Sequence, residues 1–476
     1  MLMPKGLVAV AALTLISAAH AGEERVTALK DQQEVAVTIY NENLALVKDT
    51  RKVRLGGGEE ALAWRDVSAQ IRPETALLRN LAHPKSLGLI EQNFDFDLLT
   101  PQKLLEKYVG SKVTVIKTNP ATGAETREEA TVLAANNGVV LQYADRIESG
   151  LPGRIAYASV PPNLRDRPTL VMQLRSTQAG EERLELSYLT GGLSWKADYV
   201  AELSANDDRL DLNGWVTLTN QSGTRYNNAK LQLVAGDVHR AREEMAAAME
   251  AIPAVRAAKA APQMTQEGLF EYHLYTLGRP ATLAENQTKQ VALLSAGGVP
   301  VTKEFQLRGA DYYYRSSYGE IGQKLKVGVF VEFENRGGSL GVPLPRGVVR
   351  VYKKDSAGNA QFVGEDRIDH TPRNEKVRLK LGEAFDVTAD KKQTSFEKIA
   401  GSGRYNYVYD AAFEITLKNA KDEPVTVKVV EPIPGDWQML SESAPHKKEA
   451  SNTAAWNVAV PANGKTTLSY KVRARY

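Results

Sequence analysis

Gly337, Ser339 and Gly341, in the stretch "NRGGSLGVPLP", stand at the G-x-S-x-G spacing of a hydrolase nucleophile elbow. Such a serine works on a strained turn from a strand into a helix, where helix amides help to hold an oxyanion. A strand precedes Ser339, but Pro343 and Pro345 forbid a following helix, and "GVVRVYKK" reads as another strand. The stretch is therefore expected to be a β-loop, with no catalytic serine.

Metal chemistry finds little support either. His83, His239, His273, His370 and His446 lie far apart, and none has a second histidine at helical ligand spacing. "NDDRLDLNG" places Asp211, Asn213 and Gly214 in a calcium-loop register. However, Arg209 takes the first ligand position and Asn220 the last, which leaves only an irregular site on Asp207 or Asp208 to consider. No P-loop, dinucleotide fingerprint or haem attachment motif occurs, and the triplet Gly56 to Gly58 lacks the lysine and hydroxyl residue that phosphate binding needs. A carboxylate pair for glycoside cleavage would come from separate strands and has no spacing signature.

The most distinctive side chains are two tyrosine clusters. In "DYYYRSSY" an extended chain would place Tyr312 and Tyr314 on one face and Tyr313 on the other. In "RYNYVYDAAFEITL", Tyr405, Tyr407 and Tyr409 run into Ala411, Phe413 and Ile415. Continuity with an apolar strand face favours a core or sheet-edge role over a sugar- or peptide-binding strip.

The elements that must position these groups are almost all strands. "EVAVTIYNENLALVKDTRKVRL" reads as a hairpin around "NEN", with Val35, Val37 and Ile39 on one side of the first strand and Leu44, Leu46 and Lys48 running through the second. A short amphipathic helix follows, with Pro101 near its start and Gly110 beyond its end. Short strands joined by Asn-Pro and Asn-Gly turns then suit a small SH3-like barrel. Farther on, alternating runs end three times in asparagine, at Asn220, Asn335 and Asn419, a residue whose side chain bonds nearby backbone. "RAREEMAAAMEAIPAVRAAKAAPQ" carries only a narrow stripe of Met245, Met249 and Ile252, and is expected to be a helical linker over 240–263.

The fold class is therefore all-β: sandwich-like domains plus a small barrel. The expected division is a signal peptide over 1–21, an N-terminal β domain over 22–100, the barrel over 101–165, and a β-sandwich region over 166–476. The signal rests on Lys5, the apolar run from Gly6 to Ser17 and the "AHA" cleavage pattern, with a mature start at Gly22. That run is shorter than a bilayer span requires, so no integral membrane segment is expected in the mature chain. With no cysteine among 476 residues, disulfides, thiol chemistry and a lipid-bearing cysteine are excluded. A net charge of +3, without long runs of one sign, offers no footprint for nucleic acid.

"LSYLTGGLSWKADYVAEL", "LNGWVTLTNQSGTRYNNAKLQLVAGDVHR" and "ENRGGSLGVPLPRGVVRVYKKD" resemble, in that order, the exported bacterial family catalogued as domain of unknown function 4139, over about residues 170 to 476. The resemblance implies an exported all-β protein and brings no activity, cofactor or catalytic set with it. Together these readings point to a periplasmic or secreted, non-catalytic envelope protein, needing no cofactor, with a structural, adhesive or partner-binding role toward a protein or glycan. The alternatives are a hydrolase whose site is assembled from separate strands, and a carbohydrate-binding protein using the tyrosine faces.

Overall fold

A computed structural model describes residues 24–136, 138–161, 164–236, 264–338, 340–400 and 405–476. The expected signal segment, the linker helix at 240–263, His239 and Ser339 lie outside the described residues. The protein is mainly β: among the described residues the one α-helix is Pro101–Lys107, and the rest of the regular structure is strand with three short 3-10 turns. Among the described residues no helix is long and apolar enough to cross a membrane.

The chain divides into two compact units. The first comprises residues 1–37, 46–192 and 221–229; the second comprises 38–45, 193–220 and 230–476.

In the first unit, Arg25–Thr27, Gly58–Arg65, Thr169–Ser176 and Leu87–Asp95 form a four-stranded sheet in that order. A separate five-stranded antiparallel sheet has the order Ile147–Ser149, Val140–Gln142, Glu125–Ala134, Lys112–Thr118, Arg154–Ala156. Val113, Val115, Val132 and Leu141 alternate inward from its strands and meet Leu105 and Tyr108 at the end of the helix. That helix starts where the sequence says it should: Thr100 Oγ1 caps the Lys103 amide at 3.1 Å, Pro101 occupies the first turn, and Gly110 follows at φ +82°. The "NEN" turn also forms, at residues 41–43 of the second unit, with Asn43 at φ +47° between strands Gln32–Tyr40 and Leu44–Leu55.

The second unit is built on one large sheet. Gln287–Arg308 pairs through its first half with Arg209–Asn220 and through its second half with Glu320–Glu334. Gly297 and Gly298, the latter at φ +65°, form an irregularity within the first half, since Val299 and Pro300 beyond them still pair with Leu210 and Arg209. Lys376–Ala400 then joins Glu320–Glu334 to Tyr407–Asn419, which pairs in turn with Gly464–Arg475. Val425–Pro432 lies parallel to the end of Gln287–Arg308 and antiparallel to Thr453–Val460. Phe413, Ile415 and Leu417 pack with Val427, Val429, Trp456, Leu468 and Val472 in its C-terminal core.

Each of the three strand-terminal asparagines is buried and latches a loop. Asn335 Nδ2 donates to Val342 O (2.8 Å) and Pro372 O (2.9 Å), while its Oδ1 accepts from Gly341 N (3.1 Å). Asn419 repeats the device on Glu423 O and Pro461 O, and Asn220 on Ala284 O. Asn335→Ala should therefore cost about 1–3 kcal/mol, the desolvation of the buried carbonyls it leaves bare. Urea unfolding of the variant checks this through a lower midpoint at unchanged slope.

Candidate functional site: an aromatic face above a buried ion pair

The described residues of the glycine-rich segment, 335–338 and 340–346, form neither a helix nor an extended strand. After Leu340 no helix forms, and the chain returns as the strand Gly347–Lys354. The helix that a nucleophile elbow needs is therefore not there. An open cleft of about 610 Å³ lies beside it, between Gly297–Gly298 and Gly337–Gly338. The carboxylates there are already matched: Glu332 with Lys376 at 2.7 Å and Glu334 with Arg336 at 3.1 Å.

Among the described residues, no three His, Asp or Glu side chains gather to hold a metal ion. Asp207 is claimed by Lys303 (2.8 Å) and Lys353 (2.5 Å); burial opposes its ionisation, but the two ammonium groups outweigh it and hold the carboxyl below its usual range. Asp208 accepts from Ser204. His83 contacts Glu182 at 3.1 Å, yet neighbouring Ser86 donates its hydroxyl to the His83 backbone oxygen at 2.8 Å. His446 pairs with Glu442 at 2.9 Å, His273 contacts Gln266, and His370 accepts from the Arg346 amide.

The tyrosine clusters tell a different story. Asp311–Tyr314 is a 3-10 turn, so the alternating faces expected of an extended "DYYY" do not arise. The tight turn fans the three rings out instead. Tyr314 points into the core and is fully buried, Tyr313 is half-buried, and Tyr312 is 51 % exposed. Tyr312 and Tyr313 pack edge to face with centroids 4.7 Å apart, and Tyr318 closes the group at 5.8 Å and 6.1 Å.

The second cluster lies at the start of Tyr407–Asn419. Tyr407 and Tyr409 hold their rings within 3° of parallel at 6.4 Å, and Phe396 stacks on Tyr409 at 5.3 Å. Tyr405 hydrogen-bonds Asp436. The two clusters meet through one link: the Arg315 guanidinium lies 5.7 Å from the Tyr476 ring, whose centroid is 5.8 Å from that of Tyr409. From Ala411 onward the strand's odd residues are buried, so Phe413 and Ile415 lie in the core, whereas Tyr407 at the strand's start is 50 % exposed.

Below this face lies a group of polar side chains that the sequence reading missed. Lys391 and Glu431 are buried, with the Lys391 Nζ 2.7 Å from each Glu431 oxygen. The Tyr314 hydroxyl donates to Glu431 Oε2 at 2.8 Å and lies 2.9 Å from the Tyr470 hydroxyl. The Lys391 ammonium also sits 4.6 Å from the Tyr313 ring and 5.1 Å from Phe413. Burial pushes the Lys391 ammonium pKa down, with Glu431 opposing, and burial drives the Tyr314 and Tyr470 phenols well up. Burial, reinforced by Tyr312 and Glu431, pushes Tyr313 up to about 12. The phenols of these three rings are therefore neutral at physiological pH.

Gln393, two residues beyond Lys391 on the same strand face, clamps the loop from below. Its Nε2 donates to Tyr313 O (3.2 Å) and Ser316 O (3.0 Å), and its Oε1 accepts from the Tyr318 amide (2.8 Å). On the opposite side of the sheet, the Arg473 guanidinium grips Asp410 at 2.7 and 2.9 Å and holds that carboxyl below its usual range. A set of aromatic side chains fixed from beneath can offer stacking surfaces and phenolic hydrogen bonds without rearranging.

Fold and site thus define a mainly β protein with a preorganised aromatic surface. Residues 184–476 match the model of a family described as a domain of unknown function, DUF4139, and the chain belongs to that family. No curated protein matches the chain.

Proposed function

We propose that this protein is exported and acts without catalysis, as an envelope protein that holds a protein or glycan partner on the aromatic face of its C-terminal unit. One observation carries the reading: Tyr312–Tyr318 and Tyr405–Tyr409, far apart in sequence, converge on one surface joined by Arg315 and Tyr476. Export is supported by the charged, apolar and small-residue segments that precede Gly22.

The test is cell fractionation with N-terminal sequencing, combined with a photo-crosslinking residue in place of Tyr312. The expected result is a mature chain that starts at Gly22 in the envelope fraction, and an adduct from position 312 that is not made from the exposed Ile147 in the other unit. An uncut chain in the cytoplasm, or identical products from both positions, overturns the proposal.

A further inference from the structure

We infer that the strand Arg25–Thr27 is an export latch, an inference that rests on the export reading above: the strand stays undocked while the signal segment is attached, and closes onto the first unit once that segment is cut off. Only Gly22 and Glu23 separate the expected cleavage point from Glu24, a reach of about 7 Å in extended chain. Beyond that point the chain is tied down at once. The Glu24 carboxylate takes both terminal nitrogens of Arg165, each at 2.7 Å, while Arg165 Nε donates to Asp95 at 2.9 Å. Arg25 Nε donates to Glu60 at 2.8 Å. Arg25, Val26 and Thr27 pair in parallel with Leu62, Ala63 and Trp64 at the outer side of the four-stranded sheet. Thr27 is buried, and its carbonyl accepts from the buried Arg51 at 3.0 Å.

This placement fixes an order of events. A peptidase must hold its substrate extended on both sides of the bond it cuts, so a bond this close to a docked strand is reached only when the strand opens. Removal of the signal segment and docking of the strand therefore exclude one another, and removal comes first.

The strand is built to open by itself. It is three residues long, and its ion pairs to Arg165 and Glu60 are partly exposed, so each is weak enough to release. What it leaves behind stays paired: Gly58–Arg65 keeps Thr169–Ser176 on its other side, and Arg51 keeps Asp49 and the Arg65 carbonyl. Closing then joins segments far apart in the chain, because Glu24 meets Arg165, Arg25 meets Glu60 and Thr27 meets Arg51. The finished form of the first unit belongs to the processed chain alone.

The experiment is cleavage of the full-length precursor by a purified signal peptidase in detergent. Precursor diluted straight from urea should be cut after Ala21, and precursor refolded beforehand should be cut about tenfold more slowly, because the docked strand must first open. Arg165→Ala and Glu60→Gln should each speed cleavage of the refolded precursor severalfold. Both residues lie far along the chain from the cut bond and reach the peptidase only through the strand. Glu182→Gln, which weakens contacts to His83 and Asn80 elsewhere in the same unit, should leave the refolded rate at the parent's value. Circular dichroism confirms that all three variants fold. In the mature protein, starting the chain at Ala28 should lower the urea midpoint followed through Trp64, the one tryptophan of the first unit. Equal rates for refolded and urea-diluted precursor, a gain from Glu182→Gln as large as that from Arg165→Ala, or an unchanged midpoint on truncation overturns the inference and leaves the export reading standing. No cut after Ala21 in either preparation removes the export reading and the inference with it.

Discussion

Lys391→Met is expected to destabilise the C-terminal unit by about 3–5 kcal/mol, the usual cost of removing one partner from a buried ion pair. The substitution keeps the volume of the side chain but leaves Glu431, fully buried, with its charge supported only by the Tyr314 hydroxyl and the Tyr470 hydroxyl behind it. Glu431→Leu should cost a similar amount by stranding the ammonium between Tyr313 and Phe413. Gly309→Ala attacks the same pair from outside, since a Cβ there would collide with the Glu431 carboxylate. Urea unfolding followed through Trp437 and Trp456, which lie in the same core, reads all three as lowered midpoints.

The double variant Lys391→Met with Glu431→Leu separates stability from function. Desolvating two ions costs several kcal/mol each, so replacing both with apolar groups should restore most of the stability lost in either single variant. What it should not restore is the setting of Tyr313 and Tyr314, which take their positions from the ammonium and the carboxylate. The double variant is thus expected to fold like the parent and hold its partner on the aromatic face more weakly, read as less adduct from a photo-crosslinking residue at position 312. Parent-like binding would show that the pair is only a structural ion pair.

Much of the fold was legible because strand patterning has a strict period. Val113, Val115, Val132 and Leu141 are buried as their alternation requires, and Thr100, Pro101 and Gly110 bound the helix Pro101–Lys107 as their chemistry dictates. The asparagine latches were legible too, since a polar residue at the end of an apolar run has few roles besides bonding the backbone that turns there. The "DYYY" geometry was not, because four residues carry no period that separates a 3-10 turn from a strand. Lys391 and Glu431 escaped for a sharper reason. Val387 and Ala389 precede Lys391 on the inward face, as Val425, Val427 and Val429 precede Glu431. Two apolar series each continue in strict alternation into a charge of opposite sign, and that signal shows only once the two strands are known to face each other.

The same pattern recurs in the first unit, where a second buried ion pair ties strands together. On Leu44–Leu55 the inward face reads Val47, Asp49, Arg51, Val53, Leu55, an apolar series interrupted by two charges. Arg51 is fully buried, and every part of its fork is used: Nε donates to Asp49 Oδ2 at 2.9 Å, one terminal nitrogen to Thr27 O at 3.0 Å, and the other to Arg65 O at 2.8 Å. Its guanidinium lies 4.7 Å from the Trp64 ring, whose Nε1 donates to the same Asp49 oxygen at 2.9 Å, while Gln32 takes the other oxygen at 2.8 Å. Arg51 thus ties Thr27 in one strand to Arg65 in the next, across the parallel pair Arg25–Thr27 and Gly58–Arg65. Arg51→Met should cost about 3–5 kcal/mol, because it strands Asp49 and bares two backbone carbonyls at once. Arg51→Lys should recover little of it, since an ammonium on a flexible stem cannot span the three acceptors that the planar fork reaches together. Trp64 lies at this site, so its fluorescence during urea unfolding reports the loss locally. A lysine variant with the parent's midpoint would mean that the buried charge matters and the fork does not.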